Sequence, residues 1–368
     1  MLISPFRLLV LTLCLGIGGL AGADERGFPA DFDVPPELWG GIGGGVSRSE
    51  RAALRHVPVI LVSEPGRSHR DWLGANPGNA APLENGSVVQ ALLDAGFLPI
   101  EIWIPDLSRE GDSMGSIEEA TDDLKTFISA VMGYTGADRV QLVAQGLGGL
   151  LVRITLSKYN IARWIEAEVY LAVPFHGSSG FLPDAEVLHG DPGAWIAAPD
   201  SDLVREILLG GETLRVPDPG TGEPRPIPAL TVRNGFPGGD ERFPDHPASP
   251  ALAGARNLDF PWLDHDGLRS SRCVWEQIIP FLVRPASPLR EDQDRDGDGY
   301  RGVRFGGPDC DDGDPAIHPG ARERPYDGVD QDCNGCEYIP ERQRDGEIPL
   351  PGPTEQGSRA TGHPGERP

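Results

Sequence analysis

Positive charge is scarce in this chain: 32 Lys and Arg stand against 56 Asp and Glu over 368 residues, a formal net charge of −24. Nucleic acid and anionic membrane surfaces both require a cationic face, so neither is expected as a partner. Long apolar runs are also missing. The apolar stretch from Leu8 to Leu20 is too short to span a bilayer, and no later segment is longer, so no transmembrane segment is expected. That stretch follows Arg7 and ends at Ala21 to Ala23 (AGA), the layout of a secretory signal peptide over residues 1–23. Cysteine is sparse as well. Of five, Cys14 lies in the signal, leaving Cys273, Cys310, Cys333 and Cys336. An even number in an oxidising compartment predicts two disulfides. Sequence leaves the connectivity open; Cys310 with Cys333 is preferred because each follows an Asp in one small acidic region, and Cys273 with Cys336 would then tie that region to the preceding domain.

Composition divides what is present. Residues 24–54 are rich in Gly and Pro without periodicity, which predicts a flexible leader, with order beginning near Val57. Residues 55–286 form a segment long enough for one sizeable domain. A Pro-Ala-Ser-Pro linker (Pro285 to Pro288) leads to an acidic module at 287–338, and a tail at 339–368 is too polar and Pro-rich to bury a core. Between Glu291 and Glu337, fourteen Asp and Glu face five Arg, a net of −9.

Within 55–286 the elements alternate, which predicts an α/β fold with a parallel sheet and crossover helices. Val57 to Val62 and Ile100 to Ile104 read as buried strands. Ser116 with Glu119 forms a capping box opening a helix, whose apolar positions Ile117, Ala120, Leu124, Phe127, Ile128 and Val131 keep helical spacing, with Gly133 suited to its end. The strand Arg139 to Val143 then enters a tight turn, Ala144 to Gly148 (AQGLG), followed by an apolar helix through Leu156. Strands at Ala167 to Val173 and Ala229 to Val232 precede a last helix, Ser270 to Leu282.

The turn at Ala144 to Gly148 resembles the nucleophile elbow of α/β-hydrolases, G-x-S-x-G, with small residues kept at Ala144, Gly148 and Gly149. Further stretches are similar to bacterial secreted lipases and esterases. Val169 to Ser178 (VYLAVPFHGS) resembles their strand and loop after the elbow, and Ser201 to Leu208 (SDLVREIL) a cap segment. Asp240, upstream of Leu252 to Asn257 (LAGARN), resembles the catalytic acid, and His265 in Pro261 to Leu268 (PWLDHDGL) the catalytic histidine. The resemblance covers roughly residues 55–284 and implies an α/β-hydrolase fold.

The departures bear directly on function. Gly146 stands at the nucleophile position, and glycine has no atom with which to attack a carbonyl. The oxyanion region is altered too. Val62 to Gly66 (VSEPG) replaces the family's His-Gly, so Glu64 brings a carboxylate, Pro65 offers no N–H, and only Leu147 after the elbow keeps a donor of the usual kind. Asp240 and His265 remain as a remnant triad, with Asp245 a competing acid, His176 a loop residue, and Ser63 a candidate displaced nucleophile.

The acidic module opens at Asp292, Asp294, Asp296 and Asp298 around Gly297, oxygen donors at alternate positions with a glycine for the turn, as a hard cation such as calcium requires. Val303 stands where an EF-hand places Glu, so other carboxylates must complete the shell: Asp309, Asp311, Asp312, Asp314, Asp327, Asp330 and Asp332. The stretch resembles the Asp/Cys-rich metal-binding repeat of secreted bacterial proteins, and its small size implies a fold held by metal and disulfide. Three functions follow: a non-catalytic homologue binding a lipid, an ester or a protein partner, with Ca2+ in its C-terminal module; a hydrolase using Ser63 or a water placed by His265; or a calcium-dependent adhesion scaffold.

Overall fold

The computed structural model describes residues 32–43, 54–64, 67, 69–73, 88–107, 116–180, 211–217, 223–284, 293–302 and 309–319, with 321, 322, 324, 327 and 329–333. The signal segment, the cap stretch Ser201 to Leu208 and the tail lie outside these. Strands buried on both faces tend to read as apolar runs, and Val59 to Val62 does so, whereas Val140 to Gln145 and Ile165 to Leu171 carry Gln141, Gln145, Glu166 and Glu168 among their apolar residues. Strand β1 (Val59–Val62), β2 (Ile102–Trp103) and β3 (Val140–Gln145) are buried throughout, and β4 (Ile165–Leu171) is buried but for one position. A small antiparallel hairpin, β5 (Arg215–Pro217) with β6 (Pro224–Pro226), precedes β7 (Ala229–Arg233) and β8 (Arg256–Asp259). The main sheet runs in the order β2-β1-β3-β4-β7-β8 with every pairing parallel. It is a mostly parallel α/β-hydrolase-type sheet flanked by helices.

Those helices are α1 (Arg70–Leu73), α2 (Val88–Asp94), α3 (Ile117–Thr135), α4 (Leu147–Lys158), α5 (His265–Ser270) and α6 (Arg272–Leu282). Helix α3 opens with the expected capping box, Ser116 Oγ accepting from the Glu119 N–H at 3.2 Å and the Glu119 carboxylate accepting from the Ser116 N–H at 3.0 Å. It does not stop at Gly133. Instead Gly136 takes the left-handed cap at φ 67°, because Tyr134 and Thr135 are buried and extend the packed face by half a turn. None of the helices among the described residues is long and apolar enough to cross a membrane.

The leader differs most from expectation. Phe32, Val34 and Leu38 are buried in the core, where Phe32 packs against Trp103 at 4.8 Å and edge-on to Phe127 at 5.5 Å. The Gly40 N–H donates to the Ile104 carbonyl and the Asp106 N–H to that of Leu38, so residues 38–40 cover the free edge beside β2. Glycine-rich composition hid three apolar anchors spaced across the segment. The β8 strand was missed for the opposite reason: Arg256–Asp259 is polar and largely exposed, an edge strand held by backbone pairing and by Thr231 Oγ1 donating to Asn257 Oδ1 at 2.6 Å.

Candidate functional site

The turn between β3 and α4 keeps the shape of an elbow. Gly146 lies at φ 51°, ψ −131°, a left-handed region that costs glycine little. Its neighbours are small because strand and helix pack closely: a Cβ on Gly148 would sit 2.5 Å from the Ser63 carbonyl oxygen, and one on Gly149 2.2 Å from Val173 Cγ2. At Gly146 the obstacle is different. A Cβ there would lie 1.9 Å from Glu64 Oε2, 2.9 Å from Glu64 Cδ and 3.3 Å from His265 Nε2. The Glu64 carboxylate therefore fills the space in which the side chain of an elbow nucleophile would stand.

The sequence places Glu64 near the oxyanion donors and counts it as a second, separate loss. In the fold the two changes are one arrangement, since Gly146 leaves the room that Glu64 takes. Ser63, just past β1, is half-buried with its carbonyl against Gly148, Leu147 begins α4, and Pro65 lies outside the described residues.

His265 stands at the first turn of α5, where Asp264 caps the helix by accepting from the Gly267 N–H at 2.7 Å. Its Nδ1 faces Asp240 Oδ2 at 3.2 Å and its Nε2 faces Glu64 Oε1 at 3.4 Å. All three side chains are buried, with exposures of 0% for His265, 1% for Asp240 and 2% for Glu64. The backbone behind the ring is fixed by Gln145, whose Nε2 donates to the His265 carbonyl at 3.1 Å and whose Oε1 accepts from Arg269 at 2.7 Å. Asn234 ties the loop after β7 to that after β8, donating to the Leu263 carbonyl at 2.7 Å. Asp245, the competing acid, is exposed and accepts from Ser178 Oγ at 3.3 Å. His176 Nδ1 lies 2.8 Å from the Ser249 carbonyl, a loop contact.

Burial alone would push the Glu64 carboxyl up, but the charge of His265, aided by Arg67 and Arg242, holds it at about 2. Burial alone would likewise push His265 down, yet Glu64 first and then Asp240 raise it to about 10. Both shifts favour an imidazolium facing the Glu64 carboxylate. A histidine already carrying its proton cannot accept another from a nucleophile. Arg67 closes the outer side, its Nε 3.5 Å from Glu64 Oε1 and its Nη2 3.2 Å from Asp266. No sequence motif marks Arg67.

The acidic residues of the C-terminal region separate into two groups. Asp294, Asp296 and Asp298 gather ligand oxygens within 4.8 Å of one another, and Asp309 and Asp312 face the same charges. The others shape turns or pair elsewhere. Asp311 accepts from the Gly313 and Asp314 N–H groups through its carbonyl while its charge also faces Asp309, Asp314 Oδ1 accepts from the Ala316 N–H at 3.1 Å, and Asp327 from the Val329 N–H at 2.9 Å. The Asp330 carbonyl holds the Cys333 N–H, and Asp332 pairs with Lys125 at 2.9 Å. Asp292 lies outside the described residues. Cys310 and Cys333 form the expected disulfide. The second expected pairing is not made: Cys273 is an exposed free thiol on α6, and Cys336 lies outside the described residues.

Residues 309–336 match the Cu-binding MopE family, described as "Putative metal-binding motif", a match that does not reach Asp294 to Asp298. A search of curated proteins found no match. Among solved structures the chain is similar to Bacillus licheniformis lipase BlEst2 in mature form, at 16% identity and TM-score 0.46, covering 68% of this chain and 99% of that one. It is also similar to Aspergillus fumigatus lipase B, at 15% identity and TM-score 0.43 over 67% of this chain, and spans 59% of that lipase's length. A third is Paleococcus ferrophilus monoacylglycerol lipase, at 16% identity and TM-score 0.38, covering 62% of this chain and 96% of that one. With its parallel sheet and the elbow turn at Gly146, the chain has an α/β-hydrolase fold, followed by a segment that matches the metal-binding family model.

Proposed function

We propose that this is an exported lipase/esterase-like homologue that forms no acyl-enzyme, uses its cleft to bind a lipid, an ester or a protein partner, and holds calcium in its C-terminal module. The observation that carries the reading is the Glu64 carboxylate at the nucleophile position, 3.4 Å from the buried Nε2 of His265. Acyl transfer needs a hydroxyl or thiol beside a neutral imidazole, and this centre holds neither at residue 146. Export is supported by the signal-like N-terminal segment and the Cys310–Cys333 disulfide.

Calcium is supported by the donor set. Asp296, Asp298 and Asp309 each carry a buried carboxylate oxygen with no hydrogen-bond partner, and hard oxygens suit a hard cation. The matched family's name carries copper, which favours imidazole and sulfur ligands. Here Cys310 and Cys333 are tied to each other, and the His318 ring is stacked on Tyr300 at 5.0 Å.

The test is hydrolysis of short- and long-chain nitrophenyl esters by the native chain, His265→Ala, Gly146→Ser and Gly146→Ser/Glu64→Gly. The native chain should stay at background. Gly146→Ser alone should stay there too, because Glu64 still occupies the space and protonates the histidine. The double variant should gain about 100-fold or more, within the 10⁶-fold scale on which a nucleophile acts. Native turnover abolished by His265→Ala would overturn this reading and direct the search to Ser63 or an activated water, a route the intact His265–Asp240 pair leaves in place.

A further inference from the structure

The acidic module is more than an appendage, because the residues that follow its first loop are built into the hydrolase domain. Tyr300 belongs to the main core: it is 7% exposed, and its hydroxyl donates to the Ser129 carbonyl of α3 at 2.8 Å. Its ring lies so close to α3 that a Cβ on Gly133 would come within 2.6 Å of its hydroxyl oxygen. Arg301 forms an ion pair with Asp138, just past α3, and Asp332 pairs with Lys125 on α3 at 2.9 Å. Helix α3 thus receives contacts from both ends of the module.

The segment leading into Tyr300 is organised around unpaired carboxylate oxygens. In Asp296, Asp298 and Asp309 one oxygen accepts a backbone N–H, from Asp298 at 3.2 Å, Tyr300 at 2.8 Å and Asp311 at 2.9 Å. The other oxygen of each, Oδ2, is buried with no hydrogen-bond partner. Asp309 is fully buried, so its free oxygen has no access to water either. Asp294 Oδ1 and Oδ2 accept from Gly297 and Gly299 at 2.7 and 3.1 Å, which curls the loop so that its carboxylates converge. The second segment is fixed to the first by a parallel bridge between Gly302 and Asp309 and by the Arg295 N–H donating to Asp312 Oδ1 at 2.9 Å. Buried anionic oxygens this close repel one another unless a cation stands among them.

We infer that a divalent cation held by Asp294, Asp296, Asp298 and Asp309 is what seats Tyr300 on α3, so that cation binding stabilises the hydrolase domain and not the module alone. This rests on the calcium part of the proposed function and adds the ligand set and its coupling. The cation neutralises the loop that ends two residues before Tyr300; without it, repulsion opens that loop and loosens its anchor. Helix α3 packs against α4, which begins at the elbow, so the stabilised unit includes the framework of the candidate site.

The experiment uses the full chain, titrated with calcium after chelation and followed by calorimetric binding, thermal melting and amide exchange of residues 117–135. Calcium at about 100 times its dissociation constant should raise the melting temperature of the hydrolase domain by about 5–10 °C. It should also slow exchange in α3 at least tenfold. Tyr300→Ala should still bind calcium while losing most of the melting shift. Tyr300→Phe, which keeps the ring but not the hydroxyl, should retain more than half of it. Calcium binding with unchanged melting and unchanged α3 exchange would overturn the coupling and leave the calcium reading standing. Absence of calcium binding by the native chain would overturn both.

Discussion

Two clusters of buried carboxylates in this molecule are treated in opposite ways. Around Gly146 the counter-charge is supplied by the chain: Glu64 and Asp240 flank His265, and Arg67 closes the outer face. In the C-terminal module Asp294, Asp296 and Asp298 converge, and among the described residues Asp296, Asp298 and Asp309 each keep a buried oxygen with no hydrogen-bond partner. A buried charge must be paired, neutralised or matched by a ligand. The first cluster pairs its charges within the chain. The second leaves that need open, and that is what suits it to the cation proposed above.

The comparison breaks most severely if the first cluster is forced to accept a side chain. Gly146→Ala should destabilise the fold by roughly 3 kcal/mol or more, combining a left-handed φ with a methyl placed against Glu64. With Glu64→Ala already present, the same change should cost only about 1–2 kcal/mol, the backbone part alone. A double-mutant cycle by urea denaturation reads the difference directly, and additive costs would refute the steric coupling.

Next in size is the pH dependence of the internal ion pair. His265 is raised to about 10, so its contribution is complete below its ordinary value near 6.5 and is lost as pH climbs towards 10. Glu64 is lowered to about 2, so its contribution is complete above about 4.5 and is lost as pH falls towards 2. Between pH 7 and 9 the native chain should lose on the order of 1 kcal/mol per pH unit. Glu64→Gln should flatten that alkaline slope by removing the largest upward influence on His265. An equal slope in native chain and variant, measured by denaturation at fixed calcium, would show that Glu64 does not hold the proton on His265.

How much of this was legible in the sequence depended on whether the cause was local. Strand β1 was readable because burial on both faces leaves an unbroken apolar run, β3 and β4 because apolar and β-branched residues dominate them despite Gln141, Gln145, Glu166 and Glu168, and the α3 start because a capping box spans only four positions. Gly146, Asp240 and His265 were readable because each sits in a recognisable stretch of its own. The meeting of Glu64 with Gly146 was not, since the two are brought together only by β1 pairing with β3. The role of Tyr300 was hidden in the same way: one aromatic at the end of an Asp-rich loop gives no sign that it enters the core of the preceding domain. Phe32 and Leu38 were masked by the glycines and prolines around them.

The smallest expected effect is also the one that most sharply separates the clusters, because its sign should reverse with conditions. Asp309→Asn keeps an oxygen to accept from the Asp311 N–H while removing one buried negative charge. In chelator, where the carboxylates face only one another, that change should stabilise the chain by about 1 kcal/mol by relieving repulsion. In calcium it should destabilise by about 1–2 kcal/mol through the loss of a charged ligand. The corresponding change in the paired cluster, Asp240→Asn, has no such reversal, since its counter-charge, His265, is part of the chain and present in either buffer. Melting both variants in chelator and in calcium gives four numbers. A sign change confined to Asp309→Asn follows from a cation supplied by solvent; the same sign for Asp309→Asn in both buffers would mean that its charge is balanced by the protein itself.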